Sequence, residues 1–423
     1  MAQNENDVFI GNRDTWNGSE PFGLSHKDRR HHCYVLGKTG SGKSTLLRNM
    51  ILQDIEAGRG VAFLDPHGDL AEELLEFIPP HRTDDVVYFN PADADFPISF
   101  NLLRNPQSSH LVASGIVAAF KGIWGESWGP RLEYILYATV AALLECPNTS
   151  LLGVQRMLVD SEYRAWVVKQ VKNPAVRSFW LHEFELYGKQ FAQEAIAPVQ
   201  NKVGQLFMAA PMRNILGQVR SKMDARFIMD TGRIFIANLS KGQLGHDKAN
   251  LLGALLVTQF QLAAMGRANV PEAERRDFFL YVDEFHNFVT DAFVSILSEA
   301  RKYRLCLTLS HQYQAQLRED VREAVLGNVG SIIAFRLGHP DANLLASEFG
   351  NDYNPRQFTD LANHEVCVKL LVAGEAIAPF VGKTLPPSGT RSGKKARLIR
   401  RSREKYATPR HVVEDKIQRW MKF

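Results

Sequence analysis

The sequence predicts an α/β protein: a mostly parallel sheet sandwiched by helices, interrupted by an all-helical segment. Three observations predict it. Short, uniformly apolar runs alternate with helix-period segments towards both ends of the chain, the pattern of strands buried on both faces. Between about residues 108 and 226 the apolar spacing becomes helical throughout. A glycine-rich octet, Gly37-Lys38-Thr39-Gly40-Ser41-Gly42-Lys43-Ser44, stands between a predicted strand and a predicted helix.

Taken in order, residues 34–36 read as a short buried strand and residues 43–57 as a helix, with strands following at 61–65 and Val86–Phe89. Leu132, Ile135, Leu136, Thr139 and Leu143 recur on one helical face. Pro147, Pro174, Pro198 and Pro211 punctuate the same block. Strand-like runs return at 234–237, Phe278–Val282, 305–309, 332–335 and 366–372. The expected division is an N-terminal extension (1–30), the core's first part (31–105), an all-helical insertion (106–227), the core's second part (228–385) and a basic C-terminal tail (386–423).

Composition narrows the class. With 45% hydrophobic and 23% charged residues in 423, the chain is an ordinary folded protein, not a disordered or fibrous one. Cys33, Cys146, Cys306 and Cys367 lie far apart, which argues against a zinc site or a disulfide framework and fits a reducing compartment. The start is polar, and the longest apolar run, 134–144, is shorter than the roughly 18–20 residues of a membrane helix. The expectation is a cytoplasmic protein with no membrane span of its own. The net charge of +4 conceals an asymmetry: residues 386–423 carry twelve Lys/Arg against three Asp/Glu, leaving −5 on the rest. Little apolar content up to about Arg403 suggests a mobile cationic strap near nucleic acid, and apolar spacing from Val412 to Met421 suggests a short terminal helix that docks.

The octet has the spacing of a phosphate loop. Its glycines let successive N–H groups curl around phosphate oxygens, and the following helix adds its positive end. Gly37, Lys38, Thr39, Gly40, Ser41, Gly42, Lys43, Ser44 and the following Thr45 are the expected nucleotide-binding residues. Lys43 would neutralise the β- and γ-phosphates, and the Ser44 hydroxyl would complete a magnesium shell.

The run 278–284, Phe-Phe-Leu-Tyr-Val-Asp-Glu, ends five apolar residues in two acids. Asp283 is the expected second magnesium residue, and Glu284 the carboxylate that orients and polarises the attacking water. Further on, the strand opened by Arg301 and Arg304 closes at His311-Gln312. If it lies between the other two strands, Gln312 reaches the γ-phosphate. Arg301 or Arg304, at its other end, would serve a neighbouring subunit's nucleotide as an arginine finger.

With these elements in order, the chain resembles the HerA/FtsK class of P-loop ATPases, and most the coupling-protein and related ATPases of conjugative and type IV secretion systems. The matching segments are Gly37 to Ser44, Leu64-Asp65-Pro66-His67-Gly68-Asp69, Phe96-Pro97-Ile98-Ser99-Phe100-Asn101-Leu102-Leu103, Val282-Asp283-Glu284-Phe285, and Ser298-Glu299-Ala300-Arg301-Lys302-Tyr303 leading to His311-Gln312. The resemblance implies a RecA-like (ASCE) core, ATP and Mg2+ as cofactors, a homo-oligomeric ring, expected to be a hexamer, and DNA, single- or double-stranded, as the cargo. It departs in lacking a leading membrane anchor or β-barrel, so membrane-anchored, secretion-system or effector partners would tether it. A HerA-like ring serving a nuclease or effector, and a protein-secretion ATPase, are the competing readings.

Other residues carry weaker signals. His67 and Asp69 follow the second strand and approach the loop, and Arg336 ends another strand near it. Trp124, Trp128, Trp166 and Trp180 read as packing of the helical block, while Arg213 has no distinguishing neighbour.

Overall fold

In the computed structural model Trp16-Asn17 turns a hairpin between β1 (Asp7–Thr15) and β2 (Gly18–Ser25), with Gly18 in the left-handed region at φ 106° as glycine allows. The structure describes residues 7–104, 108–187, 189–291, 293–350 and 352–422. Seven strands then run parallel: β3 (Cys33–Leu36), β4 (Gly60–Asp65), β5 (Val86–Phe89), β6 (Ile234–Asn238), β7 (Phe278–Val282), β8 (Leu305–His311) and β9 (Ser331–Ala334). β10 (Glu365–Lys369) is antiparallel to β9. After a small hairpin of β11 (Leu371–Val372) and β12 (Glu375–Ala376), β13 (Phe380–Thr384) returns beside β10 and receives β1. The sheet has eleven strands in the order β2-β1-β13-β10-β9-β3-β8-β7-β4-β6-β5.

Successive side chains on a strand point to opposite faces, and the core divides accordingly. Tyr34, Leu36, Leu64, Phe235, Leu280 and Val282 join one cluster. Val35, Phe63, Ile236, Phe279, Tyr281 and Cys306 join the other, with the helix Lys43–Glu56. The described residues of the segment 106–227 are helical as expected, from Ser109–Trp124 to Ala210–Leu216. Its core is continuous with the first face of the sheet, however, so it does not fold as a body apart. Pro174 and Pro211 sit in first turns, where a missing N–H costs nothing, whereas Pro198 lies inside the helix Lys189–Met208. Trp180 is fully buried and Trp166 half-exposed. Among the described residues, one helical segment, residues 246–269, is long and apolar enough to cross a membrane, but 72% of its most apolar stretch is buried within the protein.

Two expectations need correction. Over its described residues, 7–30, the expected extension at 1–30 is part of the core: β1 and β2 complete the sheet, because alternating Val8 and Ile10 bury one side of β1. The tail is not a mobile strap either. Residues 385–388 cross the helix Lys43–Glu56, where Asn49 donates to Leu385 and Pro386 carbonyls and accepts from Ser388. The helix Lys395–Tyr406 then covers the β5 edge. Its Leu398 is buried, its Ser402 hydroxyl accepts from the Tyr88 N–H (2.9 Å), and Lys395, Arg401, Arg403 and Lys405 pair with Glu72, Asp84 and Asp93. An unpaired strand edge is a template for aggregation, and this helix occupies it. The final helix, Arg410–Lys422, does dock as expected: Val413 and Ile417 are buried, and Arg156 donates to the Trp420 carbonyl.

Candidate active site

The loop after β3 is suspended between two strand ends. The Gly37 N–H donates to the His311 carbonyl (3.4 Å), and the Lys38 N–H to the Arg336 carbonyl (3.0 Å). A β-carbon on Gly37 would lie 2.5 Å from that of Phe335, so only glycine fits there. Gly42, at φ +119, starts the helix Lys43–Glu56 from a conformation that side chains rarely adopt. Lys43, 7% exposed, donates to the carbonyls of Gly37 and Lys38. Burial lowers its pKa, with Glu284 and Asp283 opposing the shift.

β8 lies between β3 and β7, the order on which the reading of Gln312 depended. Asp283 follows β7, is 7% exposed, and accepts from the Ser310 hydroxyl (2.9 Å) and the Glu284 N–H (3.0 Å). Burial, with Asp65 and Glu284 nearby, raises its pKa to about 6. Glu284 occupies the left-handed region at φ 45°. Its Oε1 accepts from Gln312 Nε2 (2.9 Å), while Oε2 is buried with no hydrogen bond and stands 3.5 Å from His286 Nδ1. Asn287 donates to the Glu284 carbonyl (2.7 Å) and receives the Lys241 ammonium. Burial holds His286 near pKa 4 and His311 near 3, so both are neutral at physiological pH.

A cleft of about 300 Å³ opens over these groups, lined by Thr39, Gly40, Gly42, Lys43, Ser44 and Thr45 and by His67, Asp283, Glu284, Gln312 and His364. The structure therefore brings together the loop, both acids and Gln312. His67 lines the cleft, whereas Asp69 is an exposed first residue of the helix Asp69–Leu74 and does not. Arg336 approaches through its carbonyl, its guanidinium donating to Asn363. Arg301 and Arg304 lie at the other end of β8. Arg304 pairs with Glu272 (3.0 Å) and Asp277 (3.9 Å); Arg301 is exposed beside His31 (3.1 Å). The larger cavity, about 1180 Å³, is at that end too, between the β1–β2 hairpin and the turn Asp28–His31. Of its carboxylates, Glu20 pairs with Arg13 and Asp28 accepts from Ser25 and from the Ala373 and Gly374 N–H groups, so the cleft over the loop, with its unpartnered Glu284 oxygen, is the better site despite its size.

Sequence reading passed over three contributors. Asp65, buried at the end of β4, accepts from the His67 and Ala71 N–H groups. It carries the same signal as Asp283, an acid closing an apolar strand. Ser310 stands two residues before Gln312, on the same side of β8 by strand alternation. His364 comes from a loop before β10 and has no local signature.

On the β6 side of the cleft Lys241 is held by Asn287, and behind the site the acid strand is anchored on a buried ion cluster. Asp54, at the end of the loop's helix, accepts from Arg29 (2.7 and 2.9 Å), Arg59 (2.9 Å) and the Tyr281 hydroxyl (2.6 Å). The Arg29 guanidinium also stacks on Phe279 at 3.9 Å. This cluster ties the helix after the phosphate loop to the strand that ends in Asp283.

Residues 17–116 match the family model described as "Helicase HerA, central domain", and residues 277–358 match "TraM recognition site of TraD and TraG". No curated protein matches the chain in sequence. Among solved structures, the plasmid coupling protein TrwB in complex with ADP and Mg2+ superposes with a TM-score of 0.63 at 14% identity, over 88% of this chain and 89% of that one. VirB4 of Thermoanaerobacter pseudethanolicus gives 0.58 at 13% identity, over 91% and 97%. At such identities the likeness is one of fold, a RecA-like P-loop core. Two family models thus match parts of the chain, and its fold is similar to that of the coupling-protein and VirB4 P-loop ATPases.

Proposed function

We propose that the protein is an ATPase of a conjugation or type IV secretion system, a ring that couples hydrolysis to DNA translocation. The observation that carries the reading is the convergence of Lys43, Asp283, Glu284 and Gln312 on one cleft from three adjacent strands. ATP and Mg2+ are its proposed cofactors, as the TrwB complex with ADP and Mg2+ suggests. The chemistry of the donor set supports this. Buried Asp283 and Glu284, with Asp65 beside Asp283, outnumber the Lys43 and Lys241 ammoniums near them, an excess of negative charge that suits a dication.

In this reading the loop amides and Lys43 hold the phosphate chain, and Ser44 and Asp283 hold the metal. Bound Mg2+ would neutralise charge on the phosphate oxygens. Glu284 works on the attacking water. Gln312 and the Asn287–Lys241 pair fix one carboxylate oxygen and the backbone, which leaves Oε2 free to accept the water's proton. Phosphoryl transfer needs such positioning more than covalent help. Arg301 and Arg304 are proposed for a neighbouring subunit's site, with Arg301 the freer of the two. The core at 31–105 and 228–385, with the helical segment 106–227 between, is the proposed functional division.

The test is the ATPase rate with single-stranded DNA, duplex DNA and no DNA, on material of known subunit number. Stimulation by DNA supports the motor, and hydrolysis indifferent to DNA would turn the reading to protein secretion or a regulatory ring. Glu284→Gln should keep ATP binding and lose hydrolysis by about 10²–10⁴-fold, while Lys43→Ala should lose binding.

A further inference from the structure

His364 occupies the left-handed region, at φ 69°, where a residue with a β-carbon is strained. Three hydrogen bonds hold it there. Its N–H donates to the Ser41 carbonyl (3.0 Å), and its carbonyl accepts from the Thr384 N–H (2.8 Å) and hydroxyl (3.2 Å). All use the backbone, so glycine would make the same three bonds without strain. The imidazole itself is exposed into the cleft over the phosphate loop. It packs so closely on Gly42 that a β-carbon there would lie 2.8 Å from His364 Nδ1. Strand order sets its side: β10 follows β9 on one flank of β3, while Gln312, after β8, and Asp283 and Glu284, after β7, lie on the other. Strain in a residue whose side chain has no structural task is characteristic of functional positions.

We infer that His364 is a nucleotide-binding residue, its imidazole N–H donating to the non-reacting part of the nucleotide, which ATP and ADP share. The inference rests on the reading of the cleft as a nucleotide site. His364 does no chemistry; it holds the nucleotide on the flank opposite the acids.

The experiment measures ATP and ADP affinity by calorimetry on the full chain, with thermal unfolding of the same samples. His364→Gly should weaken both nucleotides equally, by about ten-fold, the worth of a hydrogen bond to a charged group, with the melting temperature unchanged or higher. His364→Gln, which keeps a donor, should recover part of the loss. Unchanged affinity in His364→Gly would overturn the inference. So would a loss accompanied by a lower melting temperature, because the backbone brace would then explain it. Failure of the unsubstituted protein to bind either nucleotide would instead sink the reading of the cleft.

Discussion

Asp54 and Asp283 are both buried carboxylates tied to β7, one behind the strand and one at its end, yet their surroundings are opposite in balance. Asp54 is met by two guanidiniums and a phenol, and Arg29 by Asp54, Tyr281 and the Phe279 ring. Burial disfavours the Arg29 charge, but Asp54 and Tyr281 outweigh it and hold its pKa above the ordinary value. Asp283 is met by one hydroxyl and one N–H, and burial with two further carboxylates pushes it up to about 6. The first cluster is saturated and does structural work. The second keeps an excess of acid and an unpartnered Glu284 oxygen. Imbalance, not burial, separates the candidate active site from the scaffold.

Removing Asp54 attacks the comparison hardest. Asp54→Ala leaves Arg29 buried without its counterion and should lower unfolding free energy by about 3–5 kcal/mol in urea titrations. A loss under about 1 kcal/mol would mean that solvent reaches the cluster and that it does not hold the helix to β7.

Asp283→Asn should act in the other direction. With a folded-state pKa near 6, above the unfolded value, Asp283 binds its proton more tightly when folded. Stability therefore falls as pH rises from about 4 to about 6 and stays low above that. The asparagine variant should remove this dependence, gaining about 2–3 kcal/mol at pH 7.5 and little at pH 4, while hydrolysis disappears. Equal stability of the two proteins across that range would end the claim of imbalance.

Tyr281→Phe should cost about 1.5–2 kcal/mol, since one phenol both donates to Asp54 and accepts from Arg29. ATP affinity should hold, because the hydroxyl meets Asp54 at the far end of the helix Lys43–Glu56 and not the phosphate loop. Coupled loss of binding would mean that the saturated cluster also sets the geometry of the loop.

The smallest expected effect is at Ser310. Its hydroxyl stabilises the ionised Asp283, so Ser310→Ala should raise that pKa further and cost under about 1 kcal/mol at pH 7.5 and less at pH 5. A pH-independent cost would assign the hydroxyl a packing role.

Much of the site was legible because it is local. A glycine-rich octet after an apolar strand, two acids after another and a glutamine after a third are each a short-range pattern, and strand order alone brought them together. The hairpin β1–β2 was legible in principle at Trp16-Asn17-Gly18, but Pro21 and the glycines of β2 weaken its pattern. The tail misled because its charge was read without its partners. Lys395, Arg403 and Lys405 are solvated cations in the sequence and ion pairs with Glu72, Asp93 and Asp84 in the fold.

The sequence by itself determined the parallel core, the helical block and the loop, acid and glutamine motifs, since each is written in residues close together along the chain. Only the tertiary structure decided what depends on distant partners. It set Arg29 against Asp54 and Tyr281, laid residues 385–406 across the loop's helix and the β5 edge, and brought His364 onto Gly42 from more than 300 residues away. The reason is physical. Backbone preference and apolar period act over a few residues, whereas burial of a charge or a strained backbone is tolerated only when the whole fold supplies its compensation.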